Sequence, residues 1–312
     1  MTLLTGLSKD IFQTYVPEKW SSNVHNLPRM RAKDTILALC DQAAQPLAEA
    51  LTGLSRAASD EIPNIMNQKK VDAQWVYWFR DATARTSLAS FLEKTKLDEA
   101  TIFNIAPQDK HITLAIVVRQ EGLWVGVRLA HGAVVDRKNV ASKFEKTWER
   151  EQFTALLQAC GDSYQVGFEQ ALMPTAAVTH ETYEAWQQAL IQDTHPWQIG
   201  VLVAASEIVE KSREEITEHL QTSLRTLIPL YRFCSWTREN DQIEANKQLQ
   251  DEKQLKRKNL TGLSSGDKVR FVSGLFSGKI GIVQETDTKS QVKVLVGKMS
   301  VVVAHNEITP AP

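Results

Sequence analysis

Residues 112–129 read ITLAIVVRQEGLWVGVRL. Two apolar runs, 112–118 and 123–129, are joined by Arg119-Gln120-Glu121-Gly122. In the second run Leu123, Val125, Val127 and Leu129 alternate with Trp124, Gly126 and Arg128, and Ala130 continues the second set. A period of two sends these sets to opposite faces of a pleated strand. The pair is therefore predicted to be two adjacent strands of a sheet with one buried face, turning at Gly122, where a residue without a Cβ accepts positive φ.

Working outward, residues 71–81 (VDAQWVYWFRD) crowd β-branched and aromatic side chains and predict another strand. Trp75, Tyr77 and Trp78 are expected in the core rather than as a base-stacking platform. Residues 81–94 predict a helix with Leu88, Phe91 and Leu92 on one face. A longer amphipathic helix is expected from an N-cap at Asp34, kinked or split by Pro46. Residues 1–30 read as short helices and loops. Downstream, 142–159 predicts a helix, 164–172 a strand, 179–192 a helix capped by Thr179, 198–205 a buried strand and 208–227 a charged amphipathic helix. Residues 229–236 are short and apolar. The pentapeptide Leu-Thr-Gly-Leu-Ser recurs at 4–8, 51–55 and 260–264. Two copies follow predicted helices, where Gly53 and Gly262 would take the left-handed stop position. Helices mixed with an antiparallel sheet make the body α+β.

At 312 residues the chain has room for two or three domains. With 43% apolar and 23% charged residues it has an ordinary globular composition. No apolar run approaches the roughly 20 residues that span a bilayer, and residues 1–10 lack the pattern of a secretory leader. Cys40, Cys160 and Cys234 lie far apart, outside any CxxC pair, and are expected to be buried reduced thiols of a cytoplasmic protein. A net charge of -1 argues against a protein that coats nucleic acid but leaves a local basic site open. Phosphate-binding loops, dinucleotide fingerprints, nucleophile elbows and HExxH helices are absent from the sequence. The seven histidines show no ligand spacing, so no catalytic residue, metal or cofactor is assigned. His131, Asp136, Arg137 and Asn139 follow the 123–129 strand within nine residues. Such groups either build a site or shape a loop and cap the next helix, and the second is the expectation.

The tail is the other informative stretch. Residues 266–308 read GDKVRFVSGLFSGKIGIVQETDTKSQVKVLVGKMSVVVAHNEI. Short alternating runs at 268–272, 279–285, 291–296 and 299–304, with a fifth closing at 307–308, are separated by turn residues about every ten positions. That rhythm predicts a small barrel. Residues Val269 to Val272 precede Gly274, and Phe276 is followed by Gly278, Gly281 and Val283. The tail on these residues resembles a KOW domain of NusG-like elongation factors and ribosomal proteins. Gly281 matches the fixed glycine, Gly266-Asp267 the usual start, and Leu275-Phe276-Ser277-Gly278 the loop, with Leu275 where proline is commoner. VKVLV, Gly297 and MSVVVAHNEI match the remaining strands.

The resemblance implies an SH3-like barrel that contacts RNA polymerase, the ribosome or RNA. Arg270, Phe276, Gly278, Lys279, Gly281 and Lys298 are its candidate contact residues, with Lys293 adding charge. Phe276 is expected to stand exposed, able to stack on a base or dock on a protein. The expected organisation is a 1–238 body, a charged helical linker at 239–261 and the barrel at 262–312. Lys253, Lys256, Arg257 and Lys258 close the linker, suited to a helix C-terminus or to phosphate. The expected function is a non-enzymatic cytoplasmic binding protein of the transcription or translation machinery. The alternative is an enzyme on a small molecule or nucleic acid that the barrel targets.

Overall fold

The computed structural model describes residues 6–95, 106–243, 263–286, 291–304 and 307–311. The chain divides into two compact units, Met1–Gln242 and Ile243–Pro312. The first is built on seven strands: β1 (Leu54–Ala58), β2 (Ala73–Arg80), β3 (Ile112–Arg119), β4 (Gly122–Leu129), β5 (Gln165–Phe168), β6 (Ala171–Pro174) and β7 (Trp197–Ala204). They form one sheet in the order β1-β2-β3-β4-β7-β5-β6, with every ladder antiparallel. The helices are α1 (Lys9–Phe12), α2 (Asn26–Ala44), α3 (Ala82–Thr95), α4 (Pro107–Lys110), α5 (Val134–Lys143), α6 (Thr147–Gln158), α7 (His180–Gln192), α8 (Ala205–Ile208) and α9 (Arg213–Cys234). The mixed helical and antiparallel-sheet body is as the sequence predicts.

Period-two alternation decides the layering. Leu123, Val125, Val127 and Leu129 join Leu114, Ile116, Val118, Ile199, Val201 and Val203 in the main core. Helices α2 and α9 pack into that core through Ile36, Leu39 and Ala43, and through Ile216, Leu220, Leu224 and Leu227. Each such buried isoleucine or leucine contributes about 1.5–3 kcal/mol. The opposite sheet face is thinner. It carries a second cluster of Ala73, Tyr77, Phe79, Ala115, Val117 and Trp124, so β4 is buried on both sides rather than one.

Several boundaries differ from expectation. Asp34 is not a cap, because α2 already starts at Asn26. Buried Arg29 holds that first turn by donating to the carbonyls of Ser22 at 3.2 Å and Trp20 at 3.1 Å. The helix ends at Ala44, and Pro46 lies in a following 3-10 turn. Gly53 takes φ +80 as expected, though it leads into β1 rather than directly ending a helix. The 164–172 strand is a tight hairpin, β5–β6. The 208–227 helix starts later, at Arg213, after the N-cap Ser212, whose side chain and that of Glu215 cap one another's backbone, and runs through Pro229 to Cys234. Burial of Leu230, Tyr231, Phe233 and Cys234 outweighs the hydrogen bond that Pro229 removes. Thr179 caps α7 as predicted.

All three cysteines are buried and unpaired, and burial pushes Cys40 and Cys234 up to about 12. Residues 239–242 belong to the first unit, since the Gln242 N–H donates to Asn139 Oδ1 at 2.8 Å. Residues 244–261 of the expected linker, with Lys253, Lys256, Arg257 and Lys258, and Gly262 after it, lie outside the described residues. Among the described residues no helix is long and apolar enough to cross a membrane.

The second unit has five strands: β8 (Lys268–Phe271), β9 (Ile280–Thr286), β10 (Gln291–Val296), β11 (Met299–Ala304) and β12 (Ile308–Pro310). They form one antiparallel sheet in the order β11-β10-β9-β8-β12. Among the described residues no ladder joins the edge strands β11 and β12, so no closed barrel is present. One face collects Val269, Phe271, Val283, Val292, Val294, Val296 and Ile308 with Leu263 into a core of its own.

Candidate functional site

In the second unit the register fixes which side chains share the face away from the core. Arg270 lies opposite Ile280, and Lys268 opposite Ile282. Ile282 pairs with Leu295, which pairs with Ser300, and Lys293 pairs with Val302. The outer face is therefore a strip of Ile280, Ile282, Leu295 and Val302 with Lys268 and Arg270 on one side, and on the other Lys293 facing Glu285 across the β9–β10 ladder. Ile280, Ile282 and Val302 are 51%, 45% and 61% exposed, high values for aliphatic side chains in a sheet.

The sequence-predicted residues divide around this face. Arg270 is on it. Lys279 and Lys298 lie in connections at one end of the sheet, where the β8–β9 loop and the β10–β11 turn meet. Phe276 departs from expectation. It is half-buried, folded back to 5.7 Å from Phe271, with Lys279 Nζ 5.9 Å above its ring. Leu275 stands out in its place, 98% exposed at the loop tip. Gly274 and Gly278 make this fold-back possible at φ +79 and +83. Gly281 is buried. A Cβ there would meet Val294 Cγ1 at 2.4 Å and the Leu295 carbonyl oxygen at 2.9 Å, so Gly281 is a packing position and offers no contact surface.

In the body the residues after β4 pack into a helix. Val134–Lys143 is helix α5, and Asp136, Arg137 and Asn139 are buried in it. Asp136 accepts from both terminal nitrogens of Arg80 and from the Trp236 N–H. Arg137 donates to the carbonyls of Leu190, Asp193 and His195, closing the end of α7. Only His131 is exposed. Asp136, Arg137 and Asn139 bind Arg80, backbone groups and Asn240 from within α5, so they neither shape a loop nor cap the next helix as expected.

His111 sits beside that network, stacked on Phe79 with ring centroids 5.7 Å apart. Burial, then the Arg80 charge, pushes its pKa down to about 4. The folded protein therefore resists a proton that the unfolded chain accepts near pH 6.5. Stability is full above that pH and is lost as pH falls from about 6.5 toward 4, by roughly 2–3 kcal/mol from this group. Urea titrations at pH 7 and pH 5 are expected to show a smaller difference for His111→Leu than for the parent chain. Equal differences would sink the assignment.

Sequence reasoning missed a cavity of about 350 Å³ on the thin side of the body sheet. Ala73, Val117 and Trp124 line its apolar side, with Trp75, Arg128 and Gln198 beside them. Trp124 lies flat because Gly126 and Gly200, register partners on β4 and β7, have no side chains. A Cβ on Gly126 would meet Trp124 Cζ2 at 2.2 Å, and one on Gly200 would meet Nε1 at 2.7 Å. Arg128 packs 5.2 Å over the Trp75 ring and pairs with Asp109 at 3.1 Å. Asp72, Glu121 and Glu169 also reach the cavity. Two glycines opposite one tryptophan were the available signal, and only strand register brings them together.

Compared with protein-family models and with curated proteins, the chain matches none. Fold and surfaces define its class: an α+β body followed by a small antiparallel sheet unit with an exposed aliphatic outer face. Among the described residues no group of three or more His, Cys, Asp and Glu is placed to hold a metal.

Proposed function

We propose that this chain is a binding protein of the transcription or translation machinery, and that its C-terminal unit is the contact module. On this reading the unit is an SH3-like barrel of the KOW kind, docking on RNA polymerase, the ribosome or RNA. The strand order supports the reading, since β8 pairs with both β9 and the final strand β12. The observation that carries it is the outer face: Ile280, Ile282 and Val302 exposed, with Lys268 and Arg270 beside the first two. An aliphatic strip beside the cations Lys268 and Arg270 suits an acidic macromolecule that also offers apolar surface.

The test uses the full chain as bait, parent against Ile282→Ser/Arg270→Glu, because both positions are exposed and leave the core intact. The parent is expected to retain polymerase, ribosomes or RNA. The double variant is expected to lose roughly tenfold in affinity, the scale of a removed anchor plus a reversed charge. Affinity that falls steeply with salt identifies phosphate contacts, and a shallow dependence identifies a protein partner. Retention of none of the three by the parent chain sinks the proposal. Gly281→Asp is unsuitable here, since it would break the sheet.

A further inference from the structure

We propose that the cavity over Trp124 is a binding site for a small organic cation, an ammonium or guanidinium group carried on an apolar body. The argument starts from charge. Of the charged groups around the cavity, Arg119 faces Glu121 at 3.5 Å and Arg128 pairs with Asp109 at 3.1 Å. That leaves Asp72 and Glu169 with no ion pair among the described residues. Both remain open to solvent.

The concave wall around Asp72 disfavours its ionised form, and the Asp109 and Glu169 charges add to the effect. Its pKa stands above the ordinary carboxylate value, with a hydrogen bond from its own backbone and the Lys70 charge only partly offsetting the shift. A cation held between Asp72 and Glu169 would relieve the repulsion between them.

The apolar side of the cavity fits the other half of such a ligand. Trp124 is pressed face-down on two glycines, so the opposite ring face is the one turned to the cavity. A tryptophan face attracts cations and packs against methylene groups. Gln198 supplies the independent observation. It is 7% exposed, lines the cavity and makes no side-chain hydrogen bond within the described residues. Its amide atoms are reached by solvent through the cavity, so a ligand there can meet them. Its carbonyl can accept an N–H of the cation. Size agrees as well, since about 350 Å³ holds a small molecule or one long side chain.

Two sources share this chemistry: a free alkylamine and the side chain of a lysine in a peptide. The test is calorimetric titration of the full chain with n-butylammonium, with a Gly-Lys-Gly peptide blocked at both ends, and with butyrate as the anion of matched size. Saturable binding of either cation and none of butyrate is expected, and the tighter cation identifies the source. Asp72→Asn is expected to weaken cation binding roughly tenfold, about one charge contact, and Gln198→Leu to weaken it as well. Thermal unfolding of each variant checks that the fold persists. No saturable binding of either cation overturns the proposal. So does butyrate binding as tightly as butylammonium, or unchanged affinity in a folded Asp72→Asn/Glu169→Gln variant.

Discussion

Asp136→Ala is expected to lower the stability of the body by about 3–5 kcal/mol, the cost of leaving a buried charge without its partner. Arg80 and Asp136 are 3% and 1% exposed. Arg80 Nη1 donates to Asp136 Oδ2 at 2.9 Å, and Nη2 donates to Oδ1 and to the Trp236 carbonyl. The Trp236 N–H closes the network on Asp136 Oδ1 at 2.8 Å. Strand β2, helix α5 and the segment after α9 are thus joined at one point. Burial alone would lower the Arg80 pKa, but the adjacent Asp136 carboxylate overrides it and holds the guanidinium charged. Alanine at 136 strands that charge in the core. A domain with total stability of about 5–15 kcal/mol would lose a large fraction of it. Urea unfolding at pH 7 measures the loss, and a change under about 1 kcal/mol would contradict the structure. Arg80→Met/Asp136→Leu should recover part of it, because an apolar pair removes both charges together but leaves the Trp236 N–H and carbonyl without these partners.

Gly126→Ala is the second large effect, expected at about 3 kcal/mol or more. The added Cβ would lie 2.2 Å from Trp124 Cζ2 and 2.5 Å from the Ile199 carbonyl oxygen. The indole can rotate away only by giving up its seat on Gly200. The carbonyl belongs to the β4–β7 ladder and cannot move without opening the sheet. Thermal unfolding should therefore show a marked loss for Gly126→Ala, and adding Trp124→Ala should return only part of it, since the contact with Ile199 persists. Gly161→Ala is the control. Its φ is +82 with nothing within 4 Å of an added Cβ, so it should cost only the left-handed backbone penalty of about 1–2 kcal/mol. If the two single variants lost equal stability, the close approach at Gly126 would be refuted.

The body's regular elements were readable where one local rule dominated. The β3–β4 pair follows from alternation across a two-residue turn, and α7 follows from Thr179 ahead of an amphipathic run. Helix α5 was hidden because Asp136, Arg137 and Asn139 look like loop residues. Their polarity is satisfied by Arg80, by carbonyls at the end of α7 and by Gln242, all far along the chain. Phe276 was misplaced for a similar reason. An aromatic between glycines suggests exposure, yet those glycines allow the loop to fold the ring onto Phe271.

By itself the sequence determined the α+β pattern of the body, the antiparallel strands of the tail and the absence of a local catalytic motif. Each is written in short-range periodicity or spacing, which neighbouring residues enforce on one another. The tertiary structure alone decided which polar groups are buried, which face of the C-terminal sheet stays apolar and exposed, and that Trp124 lies over two glycines beside a cavity. These depend on strand register and on partners distant in sequence, whose positions relative to one another are fixed only when the sheet and its helices pack.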